Sequence, residues 1–335
     1  MSVSQDPVQV GEIVAGRYRV ERLLGRGAMG IVALAIDTKS GQKRAIKLLP
    51  QSAQASETAV ERFFREARSM SRLTSEHAVR IYEADILPSG APYMVMEYLE
   101  GSDLGDELTR RGALPPHEAA DCVLQASEVL ADAHALGIVH RDLKPTNLFA
   151  TTRADGSTCI KVLDFGLAKA LFPEEGNADL TLTNTVLGSP AYMSPEQLRS
   201  AKDVDPRTDI WSIGVVLYQL ITGRLPFRGR NATELISQIL VETPDKPSAL
   251  RHGLPHALDA VILRCLDKHP SGRFQSMREL GAALQPFVPA RPVAPPPSVL
   301  AVTSPSRRPP WALIITLTVV AALVILLGIS ALLLR

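Results

Sequence analysis

A chain of 335 residues with 36 Lys and Arg against 35 Asp and Glu carries a formal net charge of +1, so no basic footprint points to a nucleic-acid partner. Its three cysteines, Cys122, Cys159 and Cys265, have neither CxxC nor histidine spacing, which argues against a zinc site or a disulfide frame and fits small buried hydrophobes. The length accommodates a two-lobed domain of roughly 250–300 residues with extra segments.

Residues 1–16 lack a basic region followed by an apolar run, so they read as a polar leader and not a signal peptide. From Tyr18 the pattern becomes strand-like and reaches Gly25, Gly27 and Gly30 in a G-x-G-x-x-G run. A dinucleotide fold needs a helix directly after the third glycine. Here Ile31 to Ile36 reads as a second strand instead, so the glycines suit a flap over phosphates or an ordinary tight hairpin. Arg44 to Leu49 reads as a third strand and places Lys47 among apolar neighbours, either solvated on an outer face or buried against a carboxylate.

Apolar residues at Val60, Phe63, Phe64, Ala67, Met70 and Leu73 predict a helix over 59–73. Glu66 projects onto its inward stripe, where a carboxylate needs a cation; Lys47 is the natural partner, with Arg62 as the alternative. Strands follow at Val79 to Tyr82 and Pro92 to Met96 around a Pro88-Ser89-Gly90 turn. Glu97 to Gly101 then crosses to helical sequence, as a hinge whose main chain could hydrogen-bond an adenine.

Beyond the hinge helices dominate. An Ala- and Leu-rich run over about 117–136 stops at Gly137 and leads into His140-Arg141-Asp142-Leu143-Lys144-Pro145-Thr146-Asn147. The strand Ile160 to Leu163 then ends at Asp164-Phe165-Gly166. One carboxylate here could accept a hydroxyl proton while an amide and a second carboxylate hold a metal, which is what metal-assisted phosphoryl transfer requires.

The segment 167–187 is long, polar and threonine-bearing, and loops of that length are usually functional or disordered. Gly188 to Glu196 follows, and Thr208 to Ile221 reads as a helix apolar nearly all round, the core of a lobe. Helices are also expected at 235–240, 258–266 and 277–284. Residues 286–310 hold nine prolines and read as an extended tether. Trp311 to Leu334 carries no charge and is long enough, at about 35 Å as a helix, to cross a bilayer. Arg307 and Arg308 before it, against Arg335 after it, orient its amino-terminal side to the cytoplasm.

Together these motifs, in this order, resemble the serine/threonine protein kinases, and among them the bacterial, membrane-anchored, eukaryotic-like (Hanks-type) class. The resemblance implies an α+β, two-lobed protein-kinase fold with a small mostly β lobe and a large mostly α lobe, plus a C-terminal transmembrane helix. The expected organisation is a polar leader over 1–17, a kinase domain over 18–285 divided near 97/98, a juxtamembrane linker over 286–310 and a membrane span over 311–334. It further implies ATP and Mg2+, with Mn2+ as the alternative metal, held by Leu24, Gly25, Arg26, Gly27, Ala28, Met29, Gly30, Ile31, Val32, Lys47, Glu97, Asn147 and Asp164.

By the same resemblance Lys47 pairs with Glu66, Asp142 is the catalytic base, Lys144 neutralises the transferred phosphoryl, and Asn147 and Asp164 are the metal ligands. Ser189 is a further serine/threonine-type feature, Glu196 and Arg273 match a buried ion pair, and Asp209 matches an anchor of the catalytic loop. Arg141, beside the base, calls for a phosphate on the long loop, with Thr181, Thr183 and Thr185 as regulatory phosphosites. Expected partners are protein substrates, the membrane and a transient homodimer for trans-autophosphorylation, with the domain on the cytoplasmic side of a single-pass cell-membrane protein. Two departures stand out: Ser194-Pro195-Glu196 replaces Ala-Pro-Glu, and Ser75-Glu76-His77-Ala78 replaces the turn that usually follows the Glu66 helix. His77 reads there as a turn residue and not a ligand. A catalytically dead scaffold and a small-molecule phosphotransferase are the competing readings.

Overall fold

Alternating apolar side chains assemble the amino-terminal half as a sheet. In the computed structural model, which describes residues 8–27, 30–54, 56–165, 190–200 and 204–289, six strands pair antiparallel. They are β1 (Ile13–Val14), β2 (Tyr18–Gly27), β3 (Gly30–Asp37), β4 (Lys43–Leu48), β5 (Ile81–Ile86) and β6 (Pro92–Glu97), in the order β1-β2-β3-β4-β6-β5. One face buries Tyr18, Val20, Ile31, Ala33, Ile46 and Val95. The other turns Met94 toward Phe63 and Ala67 of a helix. After the short α1 (Gln51–Gln54), that helix is α2 (Glu57–Ser71). It begins two residues before the expected Ala59 because the Ser56 hydroxyl caps it, accepting from Ala59 N–H at 3.3 Å.

The large lobe contains β7 (Gly101–Asp103), α3 (Leu104–Arg111), α4 (Pro116–Ala135), β8 (Leu148–Thr152), β9 (Thr158–Val162), α5 (Pro195–Arg199), α6 (Arg207–Thr222), α7 (Ala232–Val241), α8 (Pro247–Leu250), α9 (His256–Cys265) and α10 (Met277–Leu284). The three strands form a second antiparallel sheet, β7-β8-β9. Helix α6 is buried on nearly every face, as its uniform apolarity predicts, and ends at Gly223 in the left-handed region (φ +71°). Trp211 of α6 stacks on Phe227 with centroids 5.7 Å apart, at the centre of the large-lobe core.

The altered turn after α2 is fastened to the large lobe through main-chain and ring contacts. Val162 N–H donates to the His77 carbonyl (2.9 Å), and the His77 ring bonds the Ile160 carbonyl through Nδ1 (2.8 Å). His77 is buried and structural, as expected. All three cysteines are buried; burial pushes the Cys122 and Cys265 thiols up to about 12, so neither is a thiolate nucleophile.

Three boundaries differ from the sequence reading. The leader does not extend to residue 17: Val8 and Val14 are buried, and Gly11 N–H and Glu12 carbonyl both bond Val20, so residues 8–16 complete the small lobe. Their apolar residues are too sparse to show a period, and pairing with β2 supplies the order. Strand β5 starts at Ile81 and not Val79, because Val79 is buried in the large-lobe core while Ala78 bridges Val162. The proline-rich linker does not begin at 286 either, since Phe287 and Val288 pack on that core. The expected membrane helix at 311–334 lies outside the described residues; among those described, no helix is long and apolar enough to cross a membrane.

Candidate active site

Gly25, Arg26 and Gly27 end β2, and Gly30, Ile31 and Val32 begin β3, with Gly27 opposite Gly30. Ala28 and Met29, at the tip, lie outside the described residues. Gly30 sits at φ +124°, and a Cβ there would fall 2.1 Å from the Leu48 carbonyl oxygen, so glycine is what lets β3 and β4 close together. A Cβ on Gly25 would meet nothing within 4 Å, so that part of the hairpin presents open backbone. Leu24 is half-buried, and Val32 is opposite Lys47 in the ladder. Ile31 corrects the expected list. Strand alternation sends its side chain into the outer small-lobe core, on the face opposite Val32 and Lys47.

Strand β4 carries Lys47 inward between β3 and β6, and α2 carries Glu66 toward it. Lys47 Nζ lies 2.7 Å from Asp164 Oδ1 and 3.3 Å from Glu66 Oε1. Burial works against the ammonium, but the carboxylates of Asp164 and Glu66 outweigh it, holding the Lys47 pKa above that of an ordinary lysine. Burial also disfavours the Asp164 carboxylate, yet Lys47 holds it below the usual range. Glu66 has the opposite balance: burial pushes it up to about 7 against the pull of Lys47, and its Oε2 has no hydrogen-bond partner among the described residues. The alternative pairing of Glu66 with Arg62 is not formed.

A raised carboxyl pKa contributes stability below its unfolded value and loses it as pH rises through the folded value. Glu66→Gln is therefore expected to be at least as stable as wild type above pH 7, with lower catalytic turnover at every pH. Wild-type turnover should itself fall as pH drops below about 7. Thermal melts and initial rates at pH 6 and 8 check both.

The loop between α4 and β8 is built around Asp209 of α6. Its Oδ2 accepts from His140 N–H and its Oδ1 from Arg141 N–H, both at 2.8 Å, while His134 Nε2 lies 2.7 Å from Oδ2. Arg141 is thereby held in the left-handed region (φ +68°), and its carbonyl accepts from Gln197 Nε2 at 2.9 Å. The resemblance supplied Asp209; His134 and Gln197 had no sequence signal. His140 Nε2 donates to the Leu163 carbonyl (2.7 Å), so its Nδ1 accepts from Asp142 N–H (3.3 Å).

This scaffold aims three side chains. Lys144 Nζ holds Asp142 Oδ2 at 2.6 Å, and Asn147 Nδ2 donates to the Asp142 carbonyl at 2.8 Å. Asp142 Oδ1 and Asn147 Oδ1 are left with no hydrogen-bond partner among the described residues. The open Asn147 amide oxygen and the Asp164 carboxylate are hard oxygen donors, which suits magnesium. Glu97 is different: its carboxylate is taken by Lys161 Nζ (2.6 Å) and Arg80 N–H (3.0 Å), so an adenine contact here belongs to the main chain.

Below α2 lies a cavity of about 330 Å³ lined by Arg62, Arg65, Glu66 and Arg141 among others. None of the three guanidiniums has an ion-pair partner among the described residues. Arg62 and Arg65 were missed as site residues; their spacing on α2 put them on the charged face, which is the usual solvated arrangement. Glu196 and Arg273 do pair, Nη1–Oε1 at 2.7 Å and Nη2–Oε2 at 2.8 Å. Gly166, Thr181, Thr183, Thr185 and Ser189 lie outside the described residues.

A lysine shared by two acids thus lies above a loop that presents a carboxylate and an amide, in the cleft of a two-lobed domain. Residues 18–283 match the family described as the protein kinase domain, and the chain belongs to that family. It is 37% identical over 278 residues to the serine/threonine-protein kinase pkn3 of Myxococcus xanthus, covering 82% of this chain and 51% of the relative. With the serine/threonine-protein kinase PknB of Mycobacterium tuberculosis it shares 36% over 274 residues, covering 81% and 43%. The chain thus spans about half or less of the length of these relatives. The crystal structure of the Mycobacterium tuberculosis PknI kinase domain superposes with a TM-score of 0.64 at 28% identity, covering 84% of this chain and 100% of that one.

Proposed function

We propose that the protein transfers the γ-phosphate of Mg-ATP to serine and threonine hydroxyls of proteins, its own loop included. The observation that carries this reading is the Asp142 carboxylate, fixed through Oδ2 by Lys144 and open at Oδ1, on the loop that also presents Asn147. An incoming hydroxyl donates to Oδ1, which orients it and takes its proton as the new bond to the γ-phosphorus forms and the bond from that phosphorus to the β–γ bridging oxygen breaks, releasing ADP. Lys144 neutralises charge on the transferred group, and Lys47 orients the α- and β-phosphates. Asn147 and Asp164 would hold the magnesium, which when bound neutralises phosphate oxygens as a Lewis acid. Incubation with γ-labelled ATP followed by phosphoamino-acid analysis tests this reading. Label on serine and threonine from wild type, absent with Lys47→Met, supports it. Label confined to a small-molecule acceptor favours the phosphotransferase alternative, and nucleotide binding without transfer favours the scaffold.

The arginine cavity supports regulation by the threonine loop. Three guanidiniums with no ion-pair partner among the described residues suit a phosphate, and they come from α2, which carries Glu66, and from the residue before Asp142. A phosphate from Thr181, Thr183 or Thr185 bound there would fix α2 and the catalytic loop together. The triple-alanine variant and Arg62→Ala/Arg65→Ala are then each expected to lose about tenfold or more in turnover, and their combination no more than either alone. Full activity of the triple-alanine protein rejects this regulation.

The charge-free run 311–334 and the proline-rich stretch before it support tethering of the domain at the cytoplasmic face of a membrane. Alkaline extraction of cell membranes is expected to leave the whole chain in the pellet and to release a chain truncated at 310.

A further inference from the structure

Away from the cleft, a cavity of about 240 Å³ opens between α6, the loop after it, α7 and α8. It is smaller than typical small-molecule pockets of roughly 300–1,000 Å³ and is sized for one functional group on a larger partner. Tyr218, at the cavity wall, is 1% exposed, and its hydroxyl has no hydrogen-bond partner among the described residues. Burial, and then the nearby Asp245, push its pKa up, so the phenol stays protonated and is available as a donor. Arg224 and Arg228 line the same cavity, and neither guanidinium is paired among the described residues. Gln238 accepts the Arg228 main-chain N–H through Oε1 at 2.9 Å, which leaves its amide NH2 as a further donor. Asp245 is the one carboxylate lining the cavity, against two guanidiniums.

The arginines spring from a loop that is already fixed. Thr222 Oγ1 bonds both the carbonyl (2.9 Å) and the N–H (3.1 Å) of Arg224, and a Cβ on Gly229 would lie 2.3 Å from Leu235 N. Gln219, next to Tyr218 on α6, accepts from Tyr192 Oη at 2.6 Å, so the cavity shares its helix with the segment leading to Glu196.

From this excess of donors we infer that the cavity docks a phosphate group carried on a protein segment, so that an already phosphorylated protein is held on the large lobe, away from the cleft. The inference extends the proposed kinase reading, but it is tested by binding and not by turnover. The probe is a pool of heptapeptides with a central phosphothreonine and random flanks, titrated by fluorescence anisotropy into the full chain in detergent micelles without nucleotide. Matched pools carry threonine or glutamate at the centre. The phosphothreonine pool is expected to bind about ten- to a hundredfold more tightly than either, as one or two charge-assisted hydrogen bonds dictate. That preference should vanish in Arg224→Ala/Arg228→Ala, weaken in Tyr218→Phe, increase in Asp245→Asn and survive in Arg62→Ala/Arg65→Ala. Arg224 and Arg228 are exposed, so their removal leaves the core intact. Equal binding of the three pools overturns the inference. So does a preference that survives loss of Arg224 and Arg228, or one that inorganic phosphate abolishes at a concentration equal to that of the peptide. Failure of phosphoryl transfer to any protein would reject the kinase reading while leaving this binding result to stand or fall separately.

Discussion

Asp142→Asn is expected to lower kcat by about 10²- to 10⁴-fold, the range for loss of a positioned general base, with the KM for ATP changed little. The loop conformation does not depend on this side chain, because Asp209 holds the main chain of His140 and Arg141 and Gln197 holds the Arg141 carbonyl. Asparagine keeps an oxygen for Lys144 but carries no charge and cannot take a proton. Steady-state rates at saturating ATP, with nucleotide affinity measured separately, separate the base from the binding site. A loss below about tenfold would assign the proton to another group.

The largest effect on stability is expected from Arg273→Ala. Arg273 is fully buried, makes the bidentate pair with Glu196, donates to the carbonyls of Asp267 (2.8 Å) and Arg207 (3.0 Å), and lies 5.1 Å from the Trp211 ring centroid. Removing it strands a largely buried carboxylate, and breaking such a pair costs about 3–5 kcal/mol. Thermal or denaturant unfolding measures the loss. Glu196→Gln/Arg273→Met should be less destabilised than Arg273→Ala, because no charge is left without a partner. The pair also sets a pH dependence. Burial disfavours the Glu196 carboxylate, but Arg273 outweighs it and holds the pKa below its ordinary value of 4.5. A depressed carboxyl stabilises the fold above its unfolded pKa and loses that contribution as pH falls through the folded value. Wild type should therefore lose part of its advantage over the double variant below about pH 4.5.

The residues that sequence made legible are those whose chemistry is unusual for their surroundings. Lys47 in an apolar strand could be solvated or paired, but Glu66 on an apolar helical stripe demanded a cation, and the structure brings the two to 3.3 Å. The uniform apolarity of α6 announced a buried helix, and the glycine run followed by β-branched residues announced a hairpin. What was hidden depends on tertiary partners. Val8 and Val14 are too few to show a period, and only the edge of β2 makes them core. Ile31 was placed with the nucleotide contacts by its position beside the glycines, while the pleat assigns it to the other face. Arg62 and Arg65 look like solvated helix charges until Arg141 is brought opposite them across 76 residues of sequence or more. Tyr218 looks like any apolar-core tyrosine until it is seen to line one cavity with Arg224 and Arg228.

Lys47 and Asp164 meet from opposite lobes, 2.7 Å apart, at the site proposed for Mg-ATP. Transfer of label from γ-labelled ATP to protein, compared for wild type and Asp164→Asn across a magnesium titration, tests this most directly. Magnesium-dependent phosphorylation of serine and threonine is expected from wild type, and essentially none from the variant at any magnesium concentration. Equal transfer by both proteins, or wild-type transfer indifferent to magnesium, would contradict it.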